Sequence, residues 1–279
     1  MATLADDHLA PLLVLLPGLD GTGILFRQFV EALGSSVETR IVTYPVDRAL
    51  GYAELEALVR AALPADRPYV VLGESFSGPI AMRLGGGRPA EGPPVAGPAA
   101  GLVGVILCVT FAKNPYPSLG RAGLWAANFS VNSLPGWVRA LFMWGAWATD
   151  RARQESALAT AAVDVAVVRH RIAALLTVDE TNALARIRIP TLVLQATGDH
   201  VLPRSATEHI LRTLPTAALA EIGGPHLLLQ SRPAECAAAV RQFMETLQLG
   251  GAPAEVGLAS CLSVKGDLDR RGRSASLRS

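Results

Sequence analysis

The stretch Tyr69-Val70-Val71-Leu72-Gly73-Glu74-Ser75-Phe76-Ser77-Gly78-Pro79-Ile80-Ala81-Met82 decides the fold. Its first five residues form a short apolar run with the length and valine content of a strand buried on both faces. Its last residues carry a proline early and an apolar run after it, the opening of a helix. A strand that passes directly into a helix through a serine flanked by small residues lifts the serine hydroxyl onto a tight turn at the strand's C-terminal end. The pattern G-x-S-x-G is met with one exchange: Gly73 stands two before Ser75, and Ser77, also small, stands where the second glycine belongs. By itself the stretch reads either as a nucleophile's turn or as a glycine-rich connection without chemistry.

Outward from it, apolar runs of strand size recur at Leu12–Leu16, Arg40–Tyr44, Leu102–Val109, Thr191–Ala196 and Ala217–Ile222. Helical patterns lie between them. Ala53 to Leu63 places Leu55, Leu58, Val59 and Ala62 on one face. Ser205 to Leu214 begins with a serine suited to a cap and has Glu208 at capping-box spacing. Pro233 to Leu249 starts with proline and reads as the last helix. Strand alternating with helix predicts an α/β fold, a doubly wound and mostly parallel sheet of about six strands with right-handed crossovers. The 279 residues suit one such domain, expected over 1–249, with an insertion. Residues 113 to about 186 offer no convincing strand and read as a block of inserted helices, a helical cap. Gly85 to Gly101 is almost wholly Gly, Pro and Ala and is expected to be a mobile loop. Gly250 to Ser279 offers little to bury and is expected to be a disordered tail.

Half of the residues are hydrophobic and the net charge is +1, so neither a nucleic acid nor an anionic surface is expected as partner. Cys108, Cys236 and Cys261 are far apart, and no Cys/His ligand spacing appears, so neither metal nor redox pair is expected, and no cofactor. Residues 92–112 are uncharged, but Pro93, Pro94, Gly97, Pro98, Gly101 and Gly104 break any spanning helix, so no transmembrane span is expected. The start lacks a signal peptide's basic region, and a cytoplasmic location is the expectation.

Three further stretches carry candidate chemistry. The first strand ends in Leu16-Pro17-Gly18-Leu19-Asp20-Gly21-Thr22-Gly23. An attacking serine needs two backbone N–H donors where negative charge develops on the carbonyl oxygen. The residue after the serine, Phe76, supplies one, and Leu19 on this loop is the best candidate for the other. Phosphate binding is the rival use of such a loop. Its glycines run G-x-x-G-x-G, not the G-x-G-x-x-G of a dinucleotide site. The strand Thr191–Ala196 ends in Thr197-Gly198-Asp199, and the last strand ends in Gly223-Gly224-Pro225-His226. An aspartate in a turn is more often a turn former, and a lone histidine more often decoration. Ser75, Asp199 and His226 in that order, each at the C-terminal end of a strand, are much less expected by chance. His8, His170, His200 and His209 have no such placement.

These residues resemble the α/β-hydrolase superfamily, in its subgroup of small esterases and lipases, over roughly residues 11 to 249. The resemblance implies Ser75 as nucleophile, His226 as base, Asp199 as the acid that orients it, and Leu19 and Phe76 as oxyanion donors. It implies a hydrolase of carboxylic esters with small-molecule ester substrates, and it puts the cap at 113–186. Two features depart from the superfamily's pattern. Only about ten residues precede the first strand here, so the usual two opening strands are expected to be missing, and the loop begins Leu-Pro-Gly instead of His-Gly. The loop and elbow together also resemble acyltransferase relatives that make lipid esters, which leaves transfer to an alcohol as the alternative. A ligand-binding protein that keeps the fold without the chemistry is the alternative of another class. Trp125, Trp137, Trp144 and Trp147 all fall in the cap segment, with Phe129, Phe142 and Met143. They read either as the cap's own core or as an apolar wall for an acyl chain.

Overall fold

The computed structural model describes residues 10–87, 99–117, 147 and 149–248. The expected tail, Trp125, Trp137, Trp144 and much of the expected cap lie outside these residues. The elements run β1 (Leu12–Leu16), α1 (Arg27–Leu33), β2 (Thr39–Ile41), α2 (Tyr52–Ala62), β3 (Tyr69–Glu74), α3 (Gly78–Gly86) and β4 (Leu102–Cys108). Then follow α4 (Asp150–Ala161), α5 (Val165–Leu175), α6 (Thr181–Arg186), β5 (Thr191–Ala196), α7 (Arg204–Thr213), β6 (Ala218–Ile222), α8 (Leu228–Ser231) and α9 (Pro233–Gln248). The six strands form one sheet in the order β2-β1-β3-β4-β5-β6, and every neighbouring pair is parallel. The α/β fold with about six strands expected from the apolar runs is the fold observed.

Alternation along the strands builds two cores. In β1, Leu12, Val14 and Leu16 face one layer with Leu55 and Val59 of α2, Ile80 and Leu84 of α3, Leu184 of α6 and Ile210 of α7. Leu13 and Leu15 face the other, with Phe29 and Leu33 of α1 and Val240 and Phe243 of α9. Covered on both faces, the central strands are continuously apolar because neither face meets water. Parallel strands place their C-terminal ends on one edge, and the loops leaving β1, β3, β4, β5 and β6 gather there.

Several boundaries differ from expectation for local reasons. The second strand covers Thr39–Ile41, not Arg40–Tyr44. Val42 and Tyr44 are still buried, but the Tyr44 N–H donates to Gly21 O at 2.8 Å, so the chain leaves the ladder to brace the loop after β1. The helix expected to start at a capping Ser205 starts at Arg204 with Pro203 as its cap, and no side chain caps it. Gly85 and Gly86, assigned above to a loop, close α3. A Cβ on Gly86 would stand 1.9 Å from Ala183 O of α6, so helix packing demands a glycine there. The remainder of the Gly/Pro/Ala stretch, 88–98, lies outside the described residues. No helix among the described residues is long and apolar enough to cross a membrane.

Candidate active site

Ser75 follows β3 with φ 47°, a left-handed conformation that is costly for a residue with a side chain. The turn is forced by close approach: a Cβ on Gly73 would lie 2.8 Å from Ser77 O and 2.9 Å from Ala81 Cβ. Ser77, the exchanged second glycine, is fully buried, and its hydroxyl donates to Pro17 O and lies 2.6 Å from Tyr44 Oη. The exchange therefore ties the elbow to the loop after β1. From the other side, the Thr110 hydroxyl donates to Ser75 O. Thr110 follows Val109, which at φ 41° is, with Ser75, one of two left-handed non-glycine residues among the described ones. The strained ends of two adjacent strands, Ser75 after β3 and Val109 after β4, are thus tied together through the Thr110 hydroxyl.

His226 enters from the loop after β6. Its Nε2 lies 2.9 Å from Ser75 Oγ, and its Nδ1 lies 2.8 Å from Asp199 Oδ2. With the Nδ1–H donating to the carboxylate, the Nε2 lone pair faces the serine hydroxyl. Asp199 Oδ1 accepts the N–H groups of Val201 at 2.7 Å and Leu202 at 2.9 Å, which fixes the carboxylate. The loops carrying the acid and the histidine are joined by Gly198 N–H donating to Gly224 O at 2.9 Å. His226 is buried and the Asp199 side chain nearly so. The three residues proposed from the sequence are brought into one hydrogen-bonded line.

Leu19 and Phe76 lie on the two segments that flank Ser75. A Cβ on Gly18 would be 3.9 Å from Ser75 Cβ, so the loop runs alongside the serine. The Leu19 N–H has no acceptor among the described residues. Phe76 opens the turn into α3, where backbone donors have no intrahelical acceptor. Its carbonyl accepts from the Tyr52 hydroxyl at 3.1 Å, and its ring stacks on Tyr52 at 4.7 Å between centroids. The loop is poorly suited to phosphate, because the Asp20 carboxylate already takes the Thr22 N–H at 2.8 Å and adds a negative charge.

Three buried polar residues at the site were not singled out from sequence. Glu74 accepts from Gln230 Nε2 at 2.8 Å; burial pushes its pKa up to about 7, with the Gln230 hydrogen bond opposing. Arg171 of α5 reaches under the β1 loop, and burial pulls its pKa down. Tyr44 stays a phenol, since burial drives its pKa up. No periodic pattern marks them; a charged residue within an apolar helix face was the one available signal for Arg171.

The model of the alpha/beta hydrolase family matches residues 13–239. A segment of the polyketide synthase ThaQ of Burkholderia thailandensis is 28% identical over 232 residues, 77% of this chain but 11% of that protein's length. A hydrolase from Pseudomonas aeruginosa PA01 superimposes with a TM-score of 0.64 at 22% identity, over 84% of this chain and 89% of the other. The enol-lactonase from Burkholderia xenovorans LB400 superimposes with a TM-score of 0.63 at 16% identity, over 85% of this chain and 92% of the other. At such identities the likeness to the solved structures is one of fold.

Proposed function

The chain belongs to the alpha/beta hydrolase family, and on that premise we propose that it is a serine hydrolase of carboxylic esters with apolar acyl groups. The observation that carries the reading is the line from Ser75 Oγ to His226 Nε2 at 2.9 Å and from His226 Nδ1 to Asp199 at 2.8 Å. Ser75 Oγ attacks the ester carbonyl carbon while its proton passes to His226 Nε2. Asp199 holds the imidazole in the required tautomer and faces the imidazolium that forms. The carbonyl oxygen becomes an oxyanion and accepts the N–H groups of Leu19 and Phe76. Collapse expels the alcohol, which takes the proton from His226, and leaves the acyl group on Ser75. Water, deprotonated by His226, then releases the carboxylic acid and restores the serine.

An alcohol in place of water would make the same site an acyltransferase, and the loop and elbow motifs favour keeping that reading. The similarity to part of a polyketide synthase adds acyl thioesters to the donors worth testing, because a thioester carbonyl takes the same attack and forms the same oxyanion. The test is a fluorophosphonate label with wild type and Ser75→Ala, followed by turnover of p-nitrophenyl esters and acyl thioesters with and without an alcohol acceptor. Wild type should label and turn over, and Ser75→Ala should lose both, with turnover down about 10⁴-fold or more. A wild type that neither labels nor turns over would be a binding protein. Ester product exceeding free acid when alcohol is present would make transfer the activity.

A further inference from the structure

Arg171 is the largest wholly buried side chain among the described residues. It stands in α5, within the segment inserted between β4 and β5, yet its guanidinium lies against the loop after β1. Nη1 donates to Leu19 O at 2.8 Å and Asp20 O at 2.9 Å, and Nη2 donates to Pro45 O at 2.8 Å. The group also lies over the Tyr44 ring, 5.6 Å from its centroid. A Cβ on Gly21 would come within 2.6 Å of Nη1, so the loop is shaped around the guanidinium.

No carboxylate among the described residues pairs with Arg171. Burying a cation without a counter-ion in contact is expensive, and carbonyl dipoles, an aromatic face and the more distant Asp20 charge compensate only in part. Surface carbonyls of a loop can be satisfied by water at far lower cost. A fixed fork of donors does something water does not: it holds successive carbonyls in one orientation. Pinning the Leu19 and Asp20 carbonyls sets the peptide planes on either side of Asp20, and the Gly21 N–H, next along the loop, donates to Gly18 O at 3.2 Å and so holds the plane that carries the Leu19 N–H. Tyr44, under the same guanidinium, lies within hydrogen-bond distance of Ser77, which itself bonds Pro17 at the loop's start. The loop is thus held at both ends, by the elbow and by the inserted helix.

We infer that Arg171 is a positioning residue for acyl chemistry at Ser75, holding the Leu19 N–H where the oxyanion forms and making that donor depend on the docking of α5. The inference rests on the reading of the site as a serine hydrolase with Leu19 as an oxyanion donor. A misplaced donor weakens transition-state binding more than ground-state binding.

The experiment uses the full chain as wild type, Arg171→Lys and Arg171→Ala, with active sites counted by fluorophosphonate titration. For each, kcat and KM are measured on one p-nitrophenyl ester, with Ki for an alkyl trifluoromethyl ketone, whose adduct on Ser75 carries the oxyanion. In Arg171→Lys one ammonium replaces the fork, and kcat per titrated site should fall about 10- to 100-fold. KM should stay within about threefold, and Ki for the ketone should rise in step with the loss in kcat. Guanidinium chloride at low millimolar concentration should restore part of the kcat of Arg171→Ala and none of that of Arg171→Lys. The idea is overturned if kcat per titrated site and ketone Ki are unchanged, or if Arg171→Lys does not fold, since Arg171 would then only dock the helix. If wild-type turnover survives Ser75→Ala, the underlying reading of the site has failed instead, and the two failures are told apart.

Discussion

At Ser77 the exchange for glycine adds a buried hydroxyl that a glycine could not supply, shared between Pro17 O and Tyr44. Asp199 is the other residue whose partners define its part: two backbone N–H groups hold one carboxylate oxygen and leave the other to His226. Asp199→Asn presents an amide in place of the acceptor for Nδ1–H and favours the wrong tautomer. Turnover should fall about 10³- to 10⁴-fold with the fold intact by circular dichroism. A loss below tenfold would remove Asp199 from the line. Glu74 carries a pH dependence of its own. Its folded pKa, raised by burial from 4.5 to about 7, leaves the native state protonated where the unfolded chain is ionised. Its stabilising share is therefore full below pH 4.5 and is lost as pH rises through about 7. Glu74→Gln stays neutral throughout. Between about pH 5 and about pH 8, urea titrations should show the wild type losing up to about 3 kcal/mol relative to the variant. Parallel pH curves would place Glu74 in the ionised state throughout.

Among elements, α3 shows why a run of glycines does not always mean a loop. Gly85 faces Val105 of β4 and Ile187 just after α6, and Gly86 meets the backbone of Ala183. The helix approaches α6 closely only because no Cβ intervenes. Gly86→Ala must push the two helices apart, so stability in urea should drop by about 1–3 kcal/mol or more. Gly51→Ala, where the nearest atom to the new Cβ is 3.8 Å away, should change it by less than about 1 kcal/mol. Equal effects would mean that the contact relaxes freely. Helix existence was legible here from Ile80, Met82 and Leu84, but the helix's end was not. Its cause is a partner 97 residues further along, seen also in the Arg83–Glu180 ion pair beside it.

For the whole molecule, the parallel direction of the strands brings the loop ends to one edge of the sheet, where Ser75 meets His226. The inserted segment contributes to that edge through Arg171 and carries Trp125, Trp137, Trp144 and Trp147. If those tryptophans wall an acyl site, each buried methylene adds about 0.8 kcal/mol, or up to fourfold in specificity constant. On a series of p-nitrophenyl esters, kcat/KM should climb from acetate through short-to-medium chains and fall once the chain outgrows the pocket. A steady decline from acetate would leave the tryptophans as packing within the insertion.

Hydrophobic runs, turn glycines and the Ser, Asp, His order are local signals, since each reflects the burial or geometry of its own segment. They were enough to read six strands, their alternation with helices, and which strand ends carry polar residues. The sheet order decided the rest. Ser75 and His226 are 151 residues apart, and only the placement of β3 and β6 in one sheet makes their loops neighbours. Thr110, Tyr44 and Gln230 stand in segments whose patterns announce nothing, and Arg171 shows only as a charge on an apolar helix face, because a hydrogen bond to a distant carbonyl or carboxyl leaves no periodicity behind. Their partners are chosen by which buried polar groups the packed layers force together, a condition that exists only once water has been expelled from between them.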